Sequence, residues 1–144
     1  MRQWTRMPPG WEPDFSKPTD PNDKQIKRPL VYICCPRRDE QPGSYFHALR
    51  YYAFALHYGA APYCPTLFPS FWVDAEYGEL RKATELMMLD GMDECWVFGD
   101  YKNKTPSQVR TILAARRKGI LVRHIDPKLV TELTSQIVFQ IPHE

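Results

Sequence analysis

Apolar runs and segments of helical spacing alternate along most of the chain. The runs predict five strands, because a strand that is covered on both faces is apolar along its length. These strands are Leu30–Cys35, Ala60–Cys64, Glu94–Phe98, Ile120–Ile125 and Ile137–Ile141. A helix is predicted after each of the first four strands. This order predicts an α/β fold with a mostly parallel, five-stranded sheet and helices on both of its faces.

Capping residues and apolar spacing place the four helices. The first opens at Gly43-Ser44, with Ser44 as the predicted N-cap, and closes at Gly59. Its predicted apolar face is Tyr45, Leu49, Tyr52, Ala53 and Leu56. The second runs from Asp74 to about Asp90, with an apolar face of Tyr77, Leu80, Thr84, Met87 and Met88. The third begins with the capping sequence Thr105-Pro106-Ser107-Gln108 and ends at Gly119, and the fourth runs from Asp126-Pro127 to about Ser135.

The first 28 residues differ from the rest of the chain. Prolines are frequent there, and they prevent a regular helix or a central strand. We therefore predict an extended tail at residues 1–28 and one α/β domain at residues 29–144. The tail carries Trp4 and Trp11, which leaves two alternatives open. It docks on the domain or on a neighbouring subunit, or it is a loosely ordered arm.

Composition and charge narrow the classes of protein. The chain has 144 residues, 43% of them hydrophobic, which suits one domain with its own core. No run approaches the roughly 20 apolar residues of a membrane span, and no apolar signal region opens the chain. The formal net charge is +2, but residues 29–144 hold 13 basic and 13 acidic residues. A neutral domain disfavours nucleic-acid binding.

The four cysteines lie in or beside the predicted strands, at Cys34, Cys35, Cys64 and Cys95. No pair has the spacing of a zinc site, and the neighbours Cys34 and Cys35 point to opposite faces of a strand. We predict buried, reduced thiols in a cytoplasmic protein, with no metal and no cofactor.

Ligands of parallel sheets bind beyond the carboxyl ends of the strands. Arg37 and Arg38 follow the first strand and precede a helix, so they could hold a phosphate or a carboxylate; otherwise they belong to a solvated loop of mixed charge. His47 lies in the first turn of that helix and could contact the same ligand. The usual dinucleotide, P-loop and serine-hydrolase motifs are absent.

Four segments carry a resemblance to a known family. They are VYICCPRRD (31–39), GAAPYCPTLFPSFW (59–72), LDGMDECWVFGD (89–100) and KGILVRHID (118–126). In this order they resemble the nucleoside 2-deoxyribosyltransferase-like group, and more closely its small bacterial and phage domains. The resemblance implies a flavodoxin-like, three-layer sandwich that is usually oligomeric. It also implies a pocket for a nucleoside or nucleotide at the strand ends.

In the transferases of that group, a glutamate near the start of the helix after the third strand attacks the sugar. The corresponding position here is Thr111 when counted back from Gly119, and Gln108 when counted from the helix start. No Asp or Glu occurs between Asp100 and Asp126. Covalent glycosyl transfer needs an ionised carboxylate, and this stretch is basic instead, which favours an anionic ligand.

Two hypotheses of function follow, with a third beside them. The first is a binding module that senses or sequesters a nucleotide- or nucleoside-derived ligand without turnover. The second is an enzyme that acts on an N-glycosidic bond, with Asp100 or Asp74 as its acid group. The third is an interaction protein that uses Trp4 and Trp11 of the tail. The residues predicted to contact the ligand are Arg37, Arg38, Pro65, Thr66, Phe68, Asp100 and Tyr101.

Overall fold

The fold is a parallel sheet with helices on both faces. A computed structural model describes residues 12–16, 18, 20, 22, 28–67, 78–100 and 102–136. The strands are β1 (Leu30–Cys34), β2 (Ala61–Tyr63), β3 (Glu94–Val97) and β4 (Leu121–His124). The helices are α1 (Ser44–His57), α2 (Gly78–Asp90), α3 (Pro106–Arg117) and α4 (Pro127–Gln136), with a short 3-10 turn at Pro65–Leu67. The predicted alternation of strand and helix is confirmed for these elements.

The strands lie in the order β2-β1-β3-β4, and every neighbouring pair is parallel. Within the described residues the sheet has four strands, so the prediction of a five-stranded sheet is not borne out there. The fifth was predicted at Ile137–Ile141, which lies outside the described residues. After β4 the chain enters α4, whose Val130 and Leu133 pack against the side of the sheet that α1 covers. The helix predicted after the fourth strand is thus confirmed, and it lies on the face of the sheet that α1 covers.

Alternate residues of the central strands enter two separate cores. Val31, Ile33 and Trp96 pack with α1 and α4 on one face. Tyr32, Cys34 and Cys95 pack with α2 and α3 on the other face. This confirms the prediction of strands that are covered on both sides. Cys34 and Cys35 fall in different cores, and all four cysteines are buried and free of disulfides, as predicted.

The buried faces of the first two helices differ from the predicted ones. The buried residues of α1 are Ser44, Ala48, Phe54 and Ala55, whereas Tyr45 of the predicted face is exposed. The buried residues of α2 are Arg81, Glu85 and Leu89, whereas Leu80, Met87 and Met88 are exposed. Apolar residues surround α1, so their spacing does not single out one face. In α2, the charged side chains of Arg81 and Glu85 are buried, whereas the spacing predicted that apolar residues would form the buried face.

The predicted N-cap of α3 is confirmed, and that of α1 is wrong. In α3, Thr105 and Gln108 form the predicted capping box, with Pro106 at the first helical position. In α1, however, Ser44 is the first helical residue, and Gly43 is the N-cap with a positive φ of 74°. Because glycine adopts this left-handed conformation without strain, the chain turns at Gly43, and Ser44 points into the protein.

Part of the segment predicted as a tail contacts the domain. The ring of Phe15 lies 5.7 Å from that of Phe54 and 5.5 Å from that of Trp96, between ring centroids. The Arg28 side chain donates hydrogen bonds to the carbonyl oxygens of Leu56 and Ala60. Trp4 and Trp11 lie outside the described residues. Within the described ranges, no helix is both long and apolar enough to cross a membrane.

Candidate functional site

The carboxyl ends of β1 and β3 meet at the centre of the sheet. The backbone N–H of Phe98 donates to the carbonyl of Cys34, and that of Ile125 donates to Val97, which aligns the ends of β1, β3 and β4. The chain runs outward from β1 to β2 and then crosses back to β3. Such a reversal leaves a crevice at the strand ends, where ligands of open parallel sheets bind.

A cleft of about 450 Å³ opens on the α1 and α4 side of these strand ends. We call it the α1–α4 cleft; the described residues that line it are His47, Arg50, Tyr51, Gly99, Ile125, Pro127, Val130 and Thr131. Its volume lies within the usual range for small-molecule sites. None of these described lining residues is an Asp or a Glu. The cleft therefore offers apolar surface, aromatic rings and a basic side chain.

Three rings stack in a row at the α1–α4 cleft: His47 and Tyr51 line it, and Phe98 lies buried behind Tyr51. Tyr51 stacks on Phe98 with centroids 4.7 Å apart, and His47 lies parallel to Tyr51 at 6.3 Å. Burial raises the pKa of Tyr51 to about 12, so its hydroxyl stays protonated. Gly99 has a φ of 94°, and a Cβ built there would lie 3.5 Å from the ring of Pro36. Glycine at this position lets the chain leave β3 beside the cleft without strain.

A second, smaller space lies on the α2 and α3 side of the same strand ends. We call it the polar cavity; its volume is about 10 Å³, and its lining includes Tyr32, Arg37, Thr66, Glu85, Ser107 and Thr111. Pro65 and Gln108 also line it. Three of the predicted ligand residues, Arg37, Pro65 and Thr66, are thus brought together, but around the polar cavity and not the larger cleft.

Arg37 and Arg38 point in different directions. Arg37 is buried, and its Nη2 donates to Asp39 at 3.0 Å. The Nε of Arg38 donates to the carbonyl of Thr66 at 3.2 Å, and its guanidinium lies 4.4 Å from the centre of the Tyr45 ring. The two side chains therefore do not form a joint clamp at the start of α1. Only Arg37 faces the polar cavity.

The start of α3 already holds a carboxylate of the protein itself. Glu40 accepts hydrogen bonds from the backbone N–H of Ser107 at 2.9 Å and from the Ser107 hydroxyl. It also accepts from the backbone N–H of Arg37 at 3.0 Å. Partial burial works to raise the pKa of Glu40, but these hydrogen bonds outweigh it and leave the pKa below its usual value. Glu40 thus occupies the helix N-terminus where the sequence favoured an anionic ligand.

Gln108 and Thr111, the two positions that the predicted resemblance aligns with the transferase glutamate, are buried beside the polar cavity. The Nε2 of Gln108 donates to the carbonyl of Phe98 at 2.7 Å and to that of Cys34 at 3.4 Å. Its Oε1 accepts from the backbone N–H of Thr105 at 3.1 Å. Gln108 therefore ties α3 to the ends of β1 and β3, which is a structural role.

Asp100 lies at the surface and caps a turn. It accepts hydrogen bonds from the Asn103 side chain at 2.8 Å and from the backbone N–H of Lys102 at 2.9 Å. These bonds hold its pKa below the usual value, so Asp100 is ionised at neutral pH and does not suit the role of an acid. Of the other predicted site residues, Phe68, Tyr101 and Asp74 lie outside the described residues.

The sequence did not point to Arg81, Glu85 and Arg110 as site residues. Arg81 is only 4% exposed and Glu85 only 7%. Burial raises the pKa of Glu85, while the charges of Arg37 and Arg110 oppose that rise. No signal within α2 could have identified this buried face, because Arg81 and Glu85 one helical turn apart also have the spacing of an exposed ion pair.

Two side chains of the basic stretch after Asp100 pair with the acidic stretch before it. The Nε and Nη2 of Arg123 on β4 donate to the two carboxylate oxygens of Glu94 on β3, at 2.6 and 3.2 Å. Lys118, after α3, pairs with Asp90 at the end of α2. These two basic side chains therefore join neighbouring elements of the fold. The described residues contain no group of three or more His, Cys, Asp or Glu that could hold a metal ion.

Comparisons with known proteins give one match. Residues 29–125 match the family model described as "Domain of unknown function (DUF7768)", which covers about two thirds of the chain. No curated protein and no solved structure matches the chain. The matched residues include all four strands and the first three helices, and they end at Ile125 on the edge of the α1–α4 cleft.

Proposed function

The chain belongs to the DUF7768 family of domains of unknown function, and from its geometry we propose that it binds a nucleoside- or nucleotide-derived ligand without turning it over. The α1–α4 cleft is the proposed site. The observation that carries the proposal is the lining of that cleft. Stacked rings and Arg50 face it, and none of the described lining residues carries a carboxylate.

The chemistry of this lining suits a base and a polar sugar or phosphate. Flat rings such as those of His47 and Tyr51 offer surface for a planar base. Arg50 is exposed at the cleft and can form charge-assisted hydrogen bonds with phosphate oxygens. Glycosyl transfer through an enzyme-bound sugar needs a carboxylate within reach of the sugar carbon. The lining supports recognition better than catalysis.

The enzymatic alternative needs a carboxyl group that the described cleft does not supply. Asp100 is exposed and held in a turn by Asn103 and Lys102. The described carboxyl with a raised pKa at the strand ends is Glu85, which faces the polar cavity on the other side of the sheet. An acid group for cleavage of an N-glycosidic bond would have this property. Glu85 is therefore the residue to vary when turnover is tested.

The strand order also supports the finer fold assignment. We propose a flavodoxin-like, three-layer arrangement, because the sheet reverses its winding between β1 and β3 and carries helix pairs on opposite faces. We also propose that the protein is cytoplasmic and oligomeric. The free cysteines support the first of these two properties, and sedimentation of the purified protein tests the second.

Ligand-dependent melting combined with mass spectrometry tests the proposed function. Adenosine, deoxyadenosine, their monophosphates and NAD are each added to the full chain. A ligand at 100 times its Kd should stabilise the fold by about 2.7 kcal/mol, a melting shift of several degrees. Arg50→Met should weaken the response. Arg116→Met, which removes an exposed arginine from α3, is the matched control.

The chemical state of the ligand decides between the two functions. Recovery of intact ligand together with a melting shift supports binding alone. Free base that accumulates with the wild-type protein, and disappears with Glu85→Gln or Asp100→Ala, would overturn it in favour of the enzyme. If no compound of the panel changes the melting temperature, the assignment of the cleft is wrong.

A further inference from the structure

Buried arginine N–H groups without partners lie on the α2 and α3 side of the sheet. Arg81 is 4% exposed and Arg37 is 9% exposed. Among the described residues, no hydrogen-bond partner is found for Arg37 Nε, Arg81 Nε and Nη1, or Arg110 Nη2. Buried donors are nearly always paired in folded proteins, and charged donors most of all. We therefore expect a hydrogen-bond acceptor beside these donors.

The charges of Arg37 and Arg110 act on one carboxyl group, that of Glu85, and Arg81 precedes it by one helical turn. Arg81 and Glu85 lie one turn apart on the buried side of α2, so their side chains share one face. Arg37 and Glu85 both line the polar cavity, and α2 packs against α3, which carries Arg110. Glu85 itself makes no ion pair or hydrogen bond with any residue that the structure describes. The cluster is not a set of closed salt bridges.

The neighbouring carboxylates do not satisfy these donors. Asp39 bonds to Nη2 of Arg37, which leaves the Nε of that side chain free. Glu40 is engaged by Ser107 at the start of α3. The polar cavity, about 10 Å³ in volume, has room for about one oxygen atom. It thus admits one oxygen of a larger group, beside Arg37 and the Ser107 hydroxyl.

We propose that Arg37, Arg81 and Arg110 form a binding site for a phosphate-type oxyanion, separate from the α1–α4 cleft. Guanidinium groups present their N–H donors in a planar fork that matches the oxygens of phosphate and sulfate. A cation would face three positive side chains, and a neutral ligand would leave their charge uncompensated. The site does not rest on the proposed function, because it lies on the opposite face of the sheet.

Binding of the oxyanion is coupled to uptake of a proton by Glu85. The anion places negative charge beside a carboxyl group that burial already disposes to protonation. Arg37 and Arg110 favour the ionised form of Glu85, whereas Asp39 and Glu40 disfavour it. The other groups that face Glu85 are its helix neighbour Arg81 and two phenols, Tyr32 on β1 and Tyr63 on β2. The affinity for the anion should therefore rise as the pH falls.

Calorimetric titration of the full chain with sulfate, at constant ionic strength, tests the site. Sulfate is a suitable probe because its charge is constant between pH 5.5 and 8. We expect saturable binding that weakens at least tenfold in Arg81→Met and is unchanged in Arg116→Met. Arg81→Met should also melt at a higher temperature than wild type without sulfate, because it removes buried unpaired donors. Equal affinity of wild type and Arg81→Met would overturn the proposal.

Two further variants keep the test decisive. If Arg81→Met does not fold, Arg81→Lys retains the charge but loses the fork, and it should still bind sulfate several-fold more weakly. Glu85→Gln should bind sulfate more tightly at pH 8 and lose most of the pH dependence. Unaltered pH dependence in Glu85→Gln would refute the coupling, and absence of saturable binding in the wild type would refute the site.

The source of the oxyanion is distinguished by competition. Inorganic phosphate that displaces sulfate, with no further gain from AMP, supports a free anion as the ligand. AMP that displaces sulfate at least tenfold better than phosphate supports the phosphate group of a nucleotide. Adenosine lacks an oxyanion, so its binding to the α1–α4 cleft should be the same in Arg81→Met and wild type. Failure of either proposal is therefore visible without the other.

Discussion

Replacement of Arg123 by methionine tests whether the basic stretch serves the fold or a ligand. The Glu94 side chain is only 8% exposed and accepts three hydrogen bonds, two from Arg123 and one from the indole N–H of Trp96 at 2.8 Å. Methionine retains most of the apolar stem of Arg123 but removes both of its hydrogen bonds. A buried carboxylate is then left with one neutral donor.

The expected cost is large for a single substitution. Removal of one partner from a buried ion pair typically costs 3–5 kcal/mol, because the other charge stays buried. The Arg123 side chain is 19% exposed, so water reaches part of the pair, and we expect about 3 kcal/mol. For a chain of this length that corresponds to a drop in melting temperature of roughly 10 °C.

Urea unfolding followed by circular dichroism measures the change. The matched control is Arg116→Met, which removes an exposed arginine from α3 and should change the free energy of unfolding by less than about 0.5 kcal/mol. The double variant Glu94→Gln/Arg123→Met leaves no uncompensated charge and keeps an acceptor for Trp96. It should therefore be more stable than Arg123→Met alone, by about 1 kcal/mol or more.

Two results would refute this reasoning. The first is an Arg123→Met protein within about 1 kcal/mol of the wild type in unfolding free energy. The second is a double variant that is no more stable than the single one. If Arg123→Met also abolished the melting shift produced by a nucleotide, Arg123 would belong to a ligand site after all. We expect the nucleotide to raise the melting temperature of Arg123→Met as well, relative to the lower melting temperature of this variant without ligand.

Two further predictions concern the start of α3. Glu40→Gln should destabilise the protein at pH 7 but little at pH 3. The pKa of Glu40 is lowered on folding, so the stabilisation from its carboxylate is present above the unfolded pKa and is lost as the pH falls through the folded pKa. Thermal melts from pH 3 to 7 measure this, and a loss of stability that does not depend on pH would contradict it. Gln108→Glu should lower the free energy of unfolding in urea by about 3 kcal/mol or more at pH 7, because a carboxylate would face the carbonyls of Phe98 and Cys34. It should also gain no glycosidase activity. A variant as stable as the wild type, or one that releases free base from a nucleoside, would contradict this prediction.

The elements of the fold were predictable because their signals are local. A proline at the first position of α3, with Thr105 and Gln108 around it, specifies a helix start in four residues. The order of strand and helix then restricts the sheet to a parallel arrangement. The cysteines were also predictable, since the apolar runs that contain them are buried on both faces.

The helix faces were not predictable because they depend on tertiary contacts. The spacing on α2 assigned Met87 to the core, yet it is 71% exposed, while Arg81 and Glu85 are buried. A buried charge is tolerated only where partners from other elements surround it, and Arg37 and Arg110 come from a loop and from α3. No periodicity within α2 contains that information.

The charges of this protein have to be interpreted in pairs of neighbouring elements. The separation of an acidic stretch from a basic one suggested a ligand, but β3 and β4 are adjacent, so Glu94 meets Arg123 across the sheet. Lys118 likewise meets Asp90. Charged side chains that form such ion pairs are therefore not counted as ligand contacts. Arg37, Arg81 and Arg110 retain buried side-chain N–H groups without partners, and these are the donors that the proposed anion site uses. The described lining of the α1–α4 cleft, which lacks carboxylates, and these unpaired donors therefore support the two binding sites that we propose.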